Sequence, residues 1–249
     1  MIKTALVTGA TSGIGAAIAK LLAANGFNLI LCGRDKERLQ KIDSELSQQV
    51  NVTTAQFDVR NKQEVDSALS PIMQSHTIDV LINNAGNAHG LAPIHEGDIT
   101  DWDAMIDGNV KGLLYVSKVV IDQMVKRKTG HIINIGSIAG KEVYPNGNVY
   151  CASKYAVDAL NNGMRIDLNP FGIKVSQISP GLVNTGFSAV RFKGDQVKAD
   201  ATYNGLEPLY ANDIAEVAWF MISRPAHVNI SDVIVLPTAQ ASATVVKRN

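Results

Sequence analysis

The chain has 249 residues, 46% of them hydrophobic and 18% charged, and its 23 basic and 23 acidic side chains cancel to a formal net charge of zero. A large buried core is therefore expected and disorder is not. The interspersed charges leave no basic stripe for nucleic acid, and no apolar run approaches the roughly 20 residues of a membrane span.

The predicted elements alternate in chain order. KTALVT, NLILC, VTTAQF and DVLIN read as strands, with amphipathic helices opening at Gly13, Lys36 and Lys62 between them. A long helix is predicted over about 101–128, then the strand HIINIGS, a helix over 148–168 and the strand GIKVSQIS. A helix over 212–223 and the strand DVIVL close the pattern. Strands apolar on both faces and separated by helices imply a parallel sheet covered on both sides. The segment 183–210 is the least regular; it follows a strand end, where open α/β sheets carry ligand loops, and it reads as a lid rather than a second domain.

The first strand runs into Thr8-Gly9-Ala10-Thr11-Ser12-Gly13-Ile14-Gly15 and then a helix. Gly9 permits a tight turn, Gly13 and Gly15 permit close backbone approach, and the helix N-terminus offers free N–H groups to a pyrophosphate. The second strand ends in Gly33-Arg34, where NAD-binding folds carry an acid for the ribose 2′-hydroxyl. A guanidinium beside a small residue suits a 2′-phosphate instead, so NADP(H) is the expected cofactor. Asp35 reads as the N-cap of the next helix. Cys32 and Cys151 have no metal-ligand spacing; no metal and no disulfide is expected, and a reducing, cytoplasmic setting is. The opening residues are not read as a secretory signal, because Thr and Gly break their apolar patch.

Tyr150 and Lys154 lie one helical turn apart and so share a face. They could be a packed aromatic and a solvated charge, or an acid/base and the cation that lowers its pKa. With TGATSGIG, Asn83-Asn84-Ala85-Gly86 and Tyr150-Cys151-Ala152-Ser153-Lys154 in this order, the whole chain resembles the short-chain dehydrogenase/reductase family. The resemblance implies a single-domain, three-layer, doubly wound parallel sheet of about seven strands (a Rossmann fold). It implies a catalytic set of Asn109, Ser137, Tyr150 and Lys154, with Tyr150 exchanging a proton with the substrate and Asn109 holding a water linked to Lys154. Asp58 and Val59 are implied beside adenine; Asn84, Ala85, Gly86, Pro180, Gly181, Val183 and Thr185 are implied along the rest of the cofactor.

LNPFGIKVSQISPGLVNTGFSAVRFKGD and RPAHVNISDVIVLPTAQ resemble the branch of NADP-dependent 3-hydroxy acid dehydrogenases. That implies a small substrate bearing a carboxylate, for which Arg191 and Lys193 are the candidate cations, with Ser137 and Tyr150 at the reacting oxygen. Gly186 stands where the branch often has an acid, which weakens the case for an amino-bearing substrate such as serine. Alternatives are a reductase of a larger carbonyl compound (a pterin, steroid or quinone) and a cofactor-binding regulator without turnover. His89, His95 and Cys151 read as structural or solvated. The resemblance also implies a homotetramer that pairs the helices over 101–128 and 148–168, with the tail 239–249 as a further contact between subunits.

Overall fold

The computed structural model describes residues 2–249. Its main sheet has seven parallel strands in the order β3-β2-β1-β4-β5-β6-β9. These are β1 (Thr4–Thr8), β2 (Asn28–Gly33), β3 (Val52–Gln56), β4 (Val80–Asn83), β5 (Gly130–Ile135), β6 (Ile173–Pro180) and β9 (Asp232–Val235). Chain order reverses between β1 and β4, which opens a crevice at the carboxyl ends of the strands. The predicted doubly wound, Rossmann-type α/β fold is the one observed.

The alternation of side chains explains the layers. Ala5 and Val7 of β1 and Leu29 and Leu31 of β2 join one core with α1 (Gly13–Ala24), α2 (Lys36–Leu46) and α9 (Ala211–Ile222). Leu6, Ile30 and Cys32 face the opposite core, under α3 (Lys62–Ser75) and α5 (Gly112–Arg127). The period of two thus feeds two apolar faces at once, which is why these strands read as continuous hydrophobic runs.

Helix starts follow side-chain chemistry. Asp35 caps α2 by accepting from Arg38 N at 3.0 Å, as expected, and Asn61 caps α3. Asp98 caps α4 (Ile99–Ile106). The single helix predicted over 101–128 is instead α4, a π-type turn over Asp107–Lys111, and α5. The wider turn accommodates Asn109, whose side chain turns inward and is only 2% exposed. The predicted helix over 148–168 is α6 (Asn148–Leu168).

The segment after β6 holds two short strands, β7 (Val183–Asn184) and β8 (Leu209–Tyr210), paired in a small parallel sheet. Between them lie α7 (Phe187–Arg191) and α8 (Gln196–Ala201). The C-terminal tail folds back on its own chain: Arg248 donates to the carbonyls of Thr202 and Asn204, and Asn249 N donates to Gly205 O at 2.9 Å.

A buried histidine at the start of β5 makes the fold acid-sensitive. His131 is 4% exposed, and its Nε2 bonds Ser176 Oγ at 2.8 Å. Ser176 Oγ donates onward to Asn229 Oδ1, so Nε2 carries the proton and Nδ1 is a buried lone pair without a partner. Burial, helped by the charges of Lys174 and Lys3, holds its pKa at about 3, against 6.5 for the free side chain. The folded state binds this proton more weakly than the unfolded state, so stability is complete above pH 6.5 and declines as pH falls toward 3. Urea unfolding is expected to show a loss of about 2–3 kcal/mol between pH 7 and pH 4.5 from this group. His131→Gln should remove that part of the slope.

Candidate active site

One cleft of about 870 Å³ runs along the carboxyl ends of β1, β2, β4, β5 and β6. At one end is the β1–α1 loop. Gly9 turns there with φ of +63°, and Asn84 Nδ2 pins the loop by donating to Thr8 O and Gly9 O at 3.0 and 3.2 Å. Ser12, the N-cap of α1, makes no capping hydrogen bond, whereas α2, α3 and α4 are all capped by side chains. The first N–H groups of α1 therefore keep their capacity for an anion, and the loop fits a dinucleotide pyrophosphate.

Beyond it, Gly33 packs so closely on Thr11 that an added Cβ would lie 2.9 Å from Thr11 Cγ2. A larger side chain there would have to push Thr11 aside. Arg34 is 64% exposed there and lies 3.6 Å from Asp58, which Arg60 grips through a fork of hydrogen bonds. Those bonds hold the Asp58 carboxyl below the usual carboxylate range, against a desolvation that alone would raise it.

At the other end, α6 carries Tyr150 and Lys154, both buried at 8% exposure, one turn apart as expected. Lys154 Nζ donates to Ile135 O at 3.0 Å, and desolvation brings its pKa down to about 8. Burial pushes the Tyr150 phenol well above its ordinary value, and the Ser137 hydroxyl and the Arg191 cation draw it partly back. Lys154 lies one turn from the phenol, with its Nζ directed to the Ile135 carbonyl.

Asn109 lies behind this wall. Its Oδ1 accepts from Asn87 N at 2.7 Å, and its Nδ2 donates to Asn87 O and Ser153 Oγ at 2.8 and 2.9 Å. Both amide hydrogens are used, so the side chain braces the loop after β4. Thr8 and Gly15 also sit behind the cleft rather than in it. Thr8 Oγ1 accepts from Asn84 N and Ala85 N, both at 3.0 Å, and ties β1 to the end of β4.

The remaining expected residues line the cleft: Ser12, Gly13 and Ile14 by the loop, Arg34, Asp58 and Val59 beyond it, and Asn84, Ala85 and Gly86 after β4. Pro180, Gly181, Val183, Thr185 and Arg191 line the side built after β6. Of the two cations expected to meet a carboxylate, Lys193 is turned away to Asp101 and Asp98, at 3.0 and 3.6 Å. His95 is exposed beside Glu96, and Cys151 is buried, with its thiol pKa raised by desolvation.

The sequence reading missed Thr11, Arg38, Tyr144, Phe187 and Gln240, all of which line the cleft. Arg38 was legible, since it lies in the first turn of the helix that opens just after Arg34. Tyr144 and Gln240 carry no periodic or motif signal and reach the cleft only through loops. Among the described residues, no group of three or more His, Cys, Asp or Glu side chains is placed to hold a metal ion.

Comparison with known proteins agrees with this geometry. Residues 3–196 match the family described as short chain dehydrogenase. The chain is 47% identical over 240 residues, 96% of each chain, to the NADP-dependent 3-hydroxy acid dehydrogenase YdfG of Salmonella typhi. It is 42% identical over 247 residues, 98% of each chain, to sulfoacetaldehyde reductase 2 of Chromohalobacter salexigens. Its fold superimposes on the closed form of a serine dehydrogenase complexed with NADP⁺ with a TM-score of 0.90, at 41% identity and 99% coverage of both chains. With the doubly wound sheet, the glycine loop and the Ser137–Tyr150–Lys154 wall in one cleft, the chain belongs to the short-chain dehydrogenase family.

Proposed function

We propose that this chain is an NADP-dependent oxidoreductase that interconverts a small anionic 3-hydroxy compound and its carbonyl form, with Tyr150 as the acid/base. The observation that carries the reading is the Arg191 guanidinium, 5.3 Å from the centroid of the Tyr150 ring on the wall that also holds Ser137 and Lys154. A cation fixed beside the proton-transfer group suits a substrate whose anion lies close to its reacting carbon. The names of the relatives support this. A 3-hydroxy acid and sulfoacetaldehyde both place one carbon between the anionic group and the reacting carbon.

The nicotinamide supplies or accepts the hydride when bound. The residues of the chain do the rest. Ser137 holds the substrate oxygen, Tyr150 gives it a proton in reduction or takes one in oxidation, and Lys154 supplies a buried cation one turn from the phenol. Arg34 meets the 2′-phosphate, since Gly33 places no competing acid beside it.

Initial rates with L-serine, L-allo-threonine, 3-hydroxypropionate, 3-hydroxyisobutyrate and 2-hydroxyethanesulfonate, each with NADP⁺ and NAD⁺, test the reading. Turnover of at least one of these acids with an NADP⁺ preference is the expected result. Selective turnover of large neutral carbonyl compounds would replace it. Arg34→Ala is expected to weaken NADP⁺ binding about 10- to 100-fold, the worth of a charge-assisted contact, and to leave NAD⁺ within about twofold. Titration calorimetry with both cofactors checks it.

The chain also reads as a homotetramer in a reducing, cytoplasmic setting. Leu114 on α5 and Tyr155 and Ile166 on α6 are exposed apolar residues on the long helices, and both cysteines are free and buried. Among the described residues no helix is long and apolar enough to cross a membrane.

A further inference from the structure

Arg191 is held more firmly than a substrate-binding cation requires. Its guanidinium lies 5.5 Å from the Tyr144 ring centroid as well as 5.3 Å from that of Tyr150. Nη2 donates to Tyr144 Oη at 2.7 Å and Nε donates to Gly90 O at 3.3 Å. Gly90 N in turn donates to Arg191 O at 3.0 Å, so the end of α7 is fastened to the loop after β4. Two of the five guanidinium donors are used, and the others remain for a ligand. The same charge that would meet the substrate's anion is therefore clamped against the ring that moves the proton.

Several other groups face Tyr150. Ser137 does so from the end of β5 and Tyr144 from the loop before α6, while Cys151 and Lys154 lie on the same helix. A small cavity of about 140 Å³ that Tyr150 and Arg191 also line brings in His89 and Asp101. Lys154 is bound to Ile135 O, Asp101 is paired with Lys193, and burial lowers the pKa of His89, which leaves it neutral at pH 7. That leaves two cations beside the ring, Lys154 one turn away on the same helix and Arg191, and it is Arg191 whose guanidinium stands over the ring with donors left for an anion.

We propose that Arg191 is a positioning residue that couples the charge of the substrate to the proton affinity of Tyr150. Without an anion, the guanidinium favours the phenolate. When a carboxylate or sulfonate pairs with it, that help is cancelled and the phenol keeps its proton. In reduction the carbonyl carbon gains a hydride from the reduced nicotinamide and the carbonyl oxygen gains the Tyr150 proton. The tyrosinate left behind is reprotonated from solvent. An anionic carbonyl substrate thus sets the acid form that its own reduction needs. The device rests on the anionic-substrate reading above.

The test compares pH profiles of wild type, Arg191→Met and Arg191→Lys in oxidation of 3-hydroxypropionate and of the neutral 1,3-propanediol. With the diol, Arg191→Met should raise the basic-form limb of kcat/KM, which reports the free enzyme, by about one pH unit. Arg191→Lys should retain most of the wild-type position. In wild type, the kcat limb should lie higher for the acid than for the diol, and the gap should close in Arg191→Met. Tyrosinate absorbance, taken as each protein minus its Tyr150→Phe partner, should show the free-enzyme shift without turnover. A diol limb that stays fixed in Arg191→Met, while KM for the acid rises tenfold or more, overturns the coupling and keeps the substrate reading. Equal effects on KM for acid and diol remove the substrate reading as well. Absence of the acid–diol gap in wild type overturns the coupling without any variant.

Discussion

Tyr150→Phe is expected to lower kcat by about 10³-fold or more while NADPH affinity stays within about threefold. The hydroxyl is the proton donor and acceptor in the proposed reaction, whereas the ring is packing. It sits in a buried cluster with Ala88, Met105, Ala139 and Cys151, and its centroid is 5.8 Å from that of Phe187 at an interplanar angle of 58°. Phenylalanine keeps those contacts and removes one oxygen, so the melting temperature should move little. NADPH fluorescence titration and single-turnover rates separate binding from chemistry. A variant that retained the full rate would shift the acid/base role elsewhere, and Tyr144, hydrogen-bonded to Arg191 on the same wall, is the next residue to replace.

Gly15→Ala is expected to cost more stability than any surface change and to abolish tight cofactor binding. A Cβ at Gly15 would overlap the Gly9 carbonyl oxygen and the Asn84 amide nitrogen. Both are backbone or pinned, since Asn84 Nδ2 already donates to Thr8 O and Gly9 O. The helix must therefore shift away from the turn it supports. Overpacking of this kind costs about 1–3 kcal/mol, which corresponds to a fall in melting temperature of roughly 3–10 °C in a chain of this size. The loss of NADP⁺ affinity should exceed tenfold, because the displaced groups belong to the loop proposed to take the pyrophosphate. Calorimetric melting with and without NADP⁺ reads both effects. An unchanged melting temperature would show that the loop is softer than its hydrogen bonds imply.

Much of the fold was legible because it depends on local pattern. Strands buried on both faces must be apolar throughout, and the helices between them must be amphipathic, so β1 to β6 and α1 to α3 could be marked before any contact was known. The break at Asp107–Lys111 could not, because a single wide turn shifts the helical period too little to disturb a pattern of apolar residues. The two small strands β7 and β8 were missed for a related reason. Two-residue strands carry no readable alternation, and they exist only because Val183 and Leu209 are brought side by side.

The site divided along the same line. Its glycine loop is continuous in sequence and was legible as chemistry, as was the absence of an acid at Gly33. Tyr150 and Lys154 are one turn apart and could be paired by spacing, but Ser137 and Asn109 entered through family resemblance. The sequence by itself determined the sheet, the cofactor loop and the pairing of Tyr150 with Lys154, because each depends on residues close together in the chain. Only the tertiary structure decided which cation of the segment after β6 faces the cleft. Arg191 stacks on Tyr144 and Tyr150 while Lys193, two residues on, is held by Asp98 and Asp101. It also decided the protonation of the site, since desolvation of Tyr150 and Lys154 depends on everything packed around them and not on their neighbours in sequence.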